Sequence, residues 1–114
     1  MVTFSCKKIS QEELIRCAFV LNKTEYKILI FFLEENKEYT ASQVSKEVKL
    51  DRTTVQKAIK KLFEKNLLKR SQINLSSGGY TFLYRIKNKI EIKNEMKTLV
   101  YEWYKGVEKS INRL

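Results

Sequence analysis

The 114-residue chain carries a formal net charge of +10, with 43% hydrophobic and 32% charged residues, two cysteines, and neither histidine nor proline. That length holds one hydrophobic core but not two ordinary domains, and no apolar run approaches the roughly 20 residues that cross a bilayer. With Cys6 and Cys17 as the only thiols and no imidazole, a four-ligand zinc site has almost no material, so neither a metal nor another cofactor is expected.

The opening MVTFSCKKIS lacks the apolar segment and small-residue cleavage site of a secretory signal, which predicts a cytoplasmic protein with no membrane partner. The first helix is announced by Ser10 with Glu13 three residues on, a capping box flanked by the apolar pair Ile9 and Leu14. Within it Cys17, among Ile15, Ala18 and Phe19, is expected to be a small core residue. A second helix starts at Asn22 or Thr24 and continues through YKILIFFLEEN, apolar nearly all round, as the central core helix. Thr40 and Gln43 repeat the capping box before a short helix that turns Val44 and Val48 inward.

The segment VKLD leaves three or four residues of turn before the next helix, predicted over about 51–65 with Asp51 at its start. Two short helices joined this tightly form a helix-turn-helix. In DRTTVQKAIKKLFEKN the residues Val55, Ala58, Ile59, Leu62 and Phe63 share one face at helical spacing. The opposite face is centred on Thr53, Lys57, Lys60 and Glu64, flanked by Thr54, Gln56 and Lys61. Charge is concentrated here: residues 51–86 carry eight basic and two acidic side chains, against eight and seven in residues 1–50 and seven and four in residues 87–114. A basic segment on a near-neutral scaffold reads as a footprint for a polyanion.

After Asn66 the period changes from helix to strand. Ile73, Leu75, Tyr80, Phe82 and Tyr84 alternate with polar residues on either side of SSGG, predicting a hairpin wing over about 69–86 with its apolar residues on one face and Leu83 as the exception. A four-residue loop pairs Leu75 with Tyr80, whereas a Gly78-Gly79 turn shifts the pairing by two; both keep that face together. The four-residue loop also sets Arg70 opposite Arg85, where like charges repel unless a phosphate lies between them. The last segment, about 88–114, places Ile92, Met96, Leu99, Val100, Trp103, Val107, Ile111 and Leu114 on one stripe. At ~1.5 Å per residue it is about 40 Å long, more than a small domain needs to cover itself; part of it is expected to fold back onto its own domain, and pairing with its own copy is the preferred reading of the rest.

These elements predict a mainly α fold with a two-stranded β-hairpin: a winged helix-turn-helix domain over 1–87 and a C-terminal dimerisation helix over 88–114. In such a domain the second helix of the pair enters the major groove of double-stranded DNA. Thr53 and Gln56 then face base edges, with Thr54 flanking them in the DNA-binding set, and Arg52, Lys57, Lys60 and Lys61 face phosphates, Lys57 being within reach of a guanine as well. Arg70, Arg85 and the tip, Ser76, Ser77, Gly78 and Gly79 with its small side chains and open amides, complete the expected DNA-binding set. Ile92, Met96, Leu99, Val100, Trp103, Val107 and Ile111 form the expected homodimer interface, with Trp103 and Tyr104 as anchors. Three aromatics exceed what a free hairpin needs, so the wing is expected to pack down, against the terminal helix of either subunit.

The run LDRTTVQKAIKKLFEKNLLKRSQINLSSGGYTFLYR, followed by YEWYKGVEKSI, resembles small archaeal transcriptional regulators related to the DNA-binding domains of the TrmB and MarR groups. The resemblance spans roughly residues 20–112 and is most specific in the INL…GGY..LYR wing and the E-W-Y of the last helix. It implies a homodimeric DNA-binding repressor or activator. The additional sensor domain of full-length TrmB-type proteins is not seen in these residues, so control by a sugar is not carried over and any effector is left open. Two other readings stand beside it: an architectural protein that coats DNA with little base preference, and a winged helix used as a protein–protein module, which would favour apolar residues on the outward face of the second helix. No catalytic constellation can be assembled, and an enzyme is not expected.

Overall fold

The computed structural model describes residues 2–114. In chain order the elements are β1 (Val2–Phe4), β2 (Lys7–Ile9), α1 (Gln11–Phe19), α2 (Lys23–Glu35), α3 (Ala41–Val48), α4 (Arg52–Glu64), β3 (Leu68–Asn74), β4 (Tyr80–Ile86) and α5 (Lys89–Asn112). Contacts divide them into two compact units: residues 21–87, and the residues up to Val20 together with Asn88–Leu114.

The unit of residues 21–87 is the winged helix-turn-helix. Each of its helices is started by its own side chains. Asn22 caps α2 in a capping box with Glu25, whose buried carboxylate accepts from the Asn22 amide at 3.0 Å. Thr40 and Gln43 do the same for α3, with the Thr40 amide donating to Gln43 Oε1 at 2.8 Å. The turn into α4 passes through Lys49 at φ 57 and is closed twice: the Leu50 amide donates to the Ser45 carbonyl at 3.2 Å, and the Ser45 hydroxyl donates to the Leu50 carbonyl at 2.6 Å. Lys27 of α2 donates its ammonium to the Val48 carbonyl at 3.2 Å, satisfying an open end of α3 with the charge its dipole favours. The apolar faces of α2, α3 and α4 meet in a core of Ile28, Leu29, Phe32, Val44, Val55, Ile59 and Leu62, with Leu67 entering from the link to β3.

β3 and β4 are antiparallel, and their register differs from both expected ones. Asn74 pairs with Tyr80, Gln72 with Phe82, Arg70 with Tyr84 and Lys69 with Arg85, leaving a five-residue loop, Leu75 to Gly79. Because side chains alternate strictly along a strand, this odd shift reverses the faces of β3 relative to β4. Tyr80, Phe82 and Tyr84 therefore share their side with Arg70, Gln72 and Asn74, and Ile73 lies on the other side, 38% exposed, with Thr81 and half-buried Leu83. Arg85 faces Lys69, not Arg70. The loop is held by the Leu75 amide donating to the Gly79 carbonyl at 3.0 Å and the Gly78 amide donating to the Leu75 carbonyl at 3.1 Å. Gly78 and Gly79 take φ of 95 and 78 with nothing near a would-be Cβ, so glycine is needed for conformation rather than for space. The wing is packed down at its base within this unit: Tyr39 bridges Tyr84 through reciprocal amide–carbonyl bonds of 2.9 and 2.8 Å, and β4 packs on α2 and α3.

In the other unit, β1 and β2 form a hairpin that sequence periodicity did not reveal, α1 starts at the Ser10–Glu13 capping box, and α1 packs against α5. α1 turns Ile15 and Phe19 inward, and Cys17, two residues and about 200° from Ile15, is exposed rather than buried, a correction to its expected core role. Cys6 is exposed as well. α5 runs 24 residues from an Asn88 cap whose side chain accepts from the Ile90 amide at 2.8 Å. Among the described residues no helix is long and apolar enough to cross a membrane.

Candidate nucleic-acid interface

α4 is amphipathic by construction: Val55, Ala58, Ile59 and Leu62 are buried while Arg52, Thr53, Gln56, Lys57, Lys60 and Lys61 are exposed. Phe63, expected on the inner face, is half-buried. Asp51 starts the helix by accepting from the Thr54 amide at 3.0 Å. The Thr54 hydroxyl donates to the same carboxylate, and this bond, with the amide bond, holds the Asp51 carboxyl below its usual range. Half-buried Thr54 is thus engaged in the cap, whereas Thr53 in the first turn and Gln56 one turn on present free hydroxyl and amide groups. At the far end Lys61 lies 4.0 Å from Glu64, an exposed pair of little energetic weight.

Beside these lysines a 440 Å³ cleft opens between α4 and the start of α2, lined by Asn22, Thr24, Glu25, Thr54, Lys57, Ala58, Lys60, Lys61 and Glu64. The sequence placed the lysines on one face but not the polar α2 residues next to them, because helices 30 residues apart in sequence leave no periodic sign of their contact. The wing carries a second pair of cations. Lys69 and Arg85 are opposite each other and both exposed, so the like-charge opposition expected for Arg70 and Arg85 belongs to this pair instead. Arg70 reaches both Phe63 and Phe82, its guanidinium carbon 4.4 and 4.3 Å from their ring centres. Ser76, Ser77, Gly78 and Gly79 are exposed at the tip, but the Gly78 amide is used inside the loop and is not open.

The stripe on α5 is unevenly covered in the single chain. Ile92 is 6% exposed and already buried, Met96, Leu99 and Val107 are half-buried, and Val100, Trp103 and Ile111 are exposed, Trp103 by 62%. In the same unit a 510 Å³ cleft, almost wholly apolar, is lined by Leu14, Lys93, Met96, Lys97, Val100, Tyr101 and Tyr104. Tyr101 escaped the sequence stripe because it lies off the seam, yet its ring contacts that of Tyr104 at 6.3 Å.

Comparison with known proteins adds identity to this geometry. The sequence family described as "Sugar-specific transcriptional regulator TrmB" matches residues 16–89. A solved structure described as a possible transcriptional regulator from Methanosarcina mazei Go1 is 37% identical, covers 99% of this chain and 95% of its own, and superposes with a TM-score of 0.93. An uncharacterized protein of Methanocaldococcus jannaschii is 32% identical over 103 residues, which are 90% of this chain and 84% of the relative. The crystal structure of the ST1889 protein of Sulfolobus tokodaii, 24% identical with a TM-score of 0.71 over 85% of this chain and 94% of its own, shares the fold.

Proposed function

The chain belongs to the TrmB family of transcriptional regulators, and from that premise we propose that it works as a homodimer on double-stranded DNA, with α4 in the major groove and the wing on the backbone or minor groove. The observation that carries this reading is the outward face of α4. It presents two uncharged hydrogen-bonding side chains, Thr53 and Gln56, followed by Lys57 and Lys60, with Arg52 at the N-terminus of the helix. Hydroxyl and amide groups match the donor and acceptor pattern of base edges, glutamine being suited to adenine, while the cations neutralise phosphates without reading sequence. Lys69 and Arg85 add a cationic pair on the wing, where a phosphate between them would relieve their repulsion. The polar character of that α4 face speaks against a protein–protein module, which would need apolar residues there.

Dimerisation runs through α5. Val100, Trp103 and Ile111 are exposed apolar side chains that a partner helix would remove from water, with Met96, Leu99 and Val107 already half-covered and Trp103 as the anchor. The chain is then cytoplasmic and needs no cofactor or catalytic group. Selection of bound duplexes from a random pool, followed by affinity for the winner against random duplex at one stated salt concentration, tests the function. A ratio of about 10³ or more is expected of a specific regulator. A ratio near one makes the protein an architectural coat.

A further inference from the structure

Arg70 leaves β3 on the side that carries Phe82 and Tyr84, and its guanidinium reaches the rings of Phe63 and Phe82. Phe63 belongs to the last turn of α4 and Phe82 to β4, so one cation from β3 touches both the recognition helix and the second strand of the wing. The rings continue on both sides of that contact. Phe82 meets Tyr80 at 5.4 Å toward the tip and Tyr84 at 6.3 Å toward the base. Tyr84 is bridged to Tyr39, whose ring lies 5.0 Å from Phe31 of α2. Among the described residues no carboxylate pairs with Arg70, so the two rings are its partners.

A planar guanidinium stacks on rings at both of its faces and keeps its in-plane N–H donors free, which a tetrahedral lysine ammonium cannot do. Each such contact shifts an equilibrium by roughly two- to thirtyfold, depending on how far it is desolvated. We infer that Arg70 is a strut that fixes the angle between the wing and α4, a positioning residue for DNA engagement and not merely a phosphate ligand. The inference rests on the DNA-binding reading above, because a fixed angle matters when helix and wing must meet one duplex together. A wing free to swing would have to be ordered on binding, at a cost in affinity.

Two measurements on the full chain test it, using R70K, R70A, F82L and the double variant of R70A with F82L. Amide exchange in the free protein should accelerate about tenfold across residues 72–83 in both R70K and R70A, while the α2 core amides stay protected. On a selected duplex, R70K should lose about tenfold in affinity, nearly as much as R70A, with the double variant no weaker than the weaker single. Wild-type affinity and exchange in R70K, additive losses in the double variant, or α2 amides exchanging in step with the wing would each overturn the strut. If the wild-type chain bound no duplex, the proposed function would fall, and the exchange measurement would still decide the strut.

Discussion

On α4, side-chain chemistry divides the labour between neighbouring residues. Gln56 offers both a donor and an acceptor, so Gln56→Ala should cost about 1–3 kcal/mol on the preferred duplex and relax preference at one base pair, measured by titrating single-base variants of the site. Lys57 and Lys60 offer charge alone. Their joint replacement by alanine should weaken all duplexes alike and reduce the slope of log affinity against log salt by about 1.8; an unchanged slope contradicts their placement on phosphates. Asp51 and Glu13 act on stability. Both carboxyls are held below their ordinary range, Asp51 chiefly by the Thr54 hydroxyl and Glu13 chiefly by the Ser10 amide. A depressed folded pKa contributes stability that is present above the unfolded value, about 4, and is lost as pH falls through the folded one. Thermal melts of the wild type should therefore fall below about pH 4 on acidification, more steeply than those of Asp51→Asn. At this scale the sequence misleads where neighbours in the chain are not neighbours in space. Cys17 has apolar residues on either side of it but faces water, and Arg70, expected as a phosphate contact opposite Arg85, is exposed but reaches the rings of Phe63 and Phe82.

Helix starts were legible because they depend on residues three apart. Ser10 with Glu13, Thr40 with Gln43 and Asp51 all cap as their spacing predicts. The wing was legible as a hairpin but not in its register. Glycines at the tip permit loops of several lengths, and a shift of one residue exchanges every side chain of β3 between faces. Apolar alternation should have fixed the choice, but the slot facing the Phe82 ring is taken by Arg70, whose flat cation replaces an aliphatic neighbour, and Ile73 is left outside. The β1–β2 hairpin had no such pattern to follow, with three residues per strand and most of them exposed. One element end is visibly strained: α1 closes on Val20 at φ 55, a left-handed conformation that β-branched residues rarely adopt, with its side chain 78% exposed. Val20→Gly removes that strain and should raise stability by about 1 kcal/mol, visible as a melting temperature higher by several degrees.

At the scale of the molecule, the charge asymmetry and the length of α5 carry the expectation of a DNA-binding dimer. In the single chain Val100, Trp103 and Ile111 are the exposed members of the α5 set proposed to pair. Trp103→Asp should convert the dimer to a monomer in sedimentation at micromolar concentration without loss of helicity, because Trp103 is exposed in the single chain. The same variant should bind a selected duplex far more weakly, since two linked half-sites gain from effective concentration and one does not. Hydroxyl-radical footprinting of the wild-type protein on that duplex tests the account most directly. Two protected half-sites related by a two-fold axis, with centres about 10–10.5 base pairs or a multiple apart, are predicted. Protection of a single half-site, or uniform protection along the duplex, would contradict it.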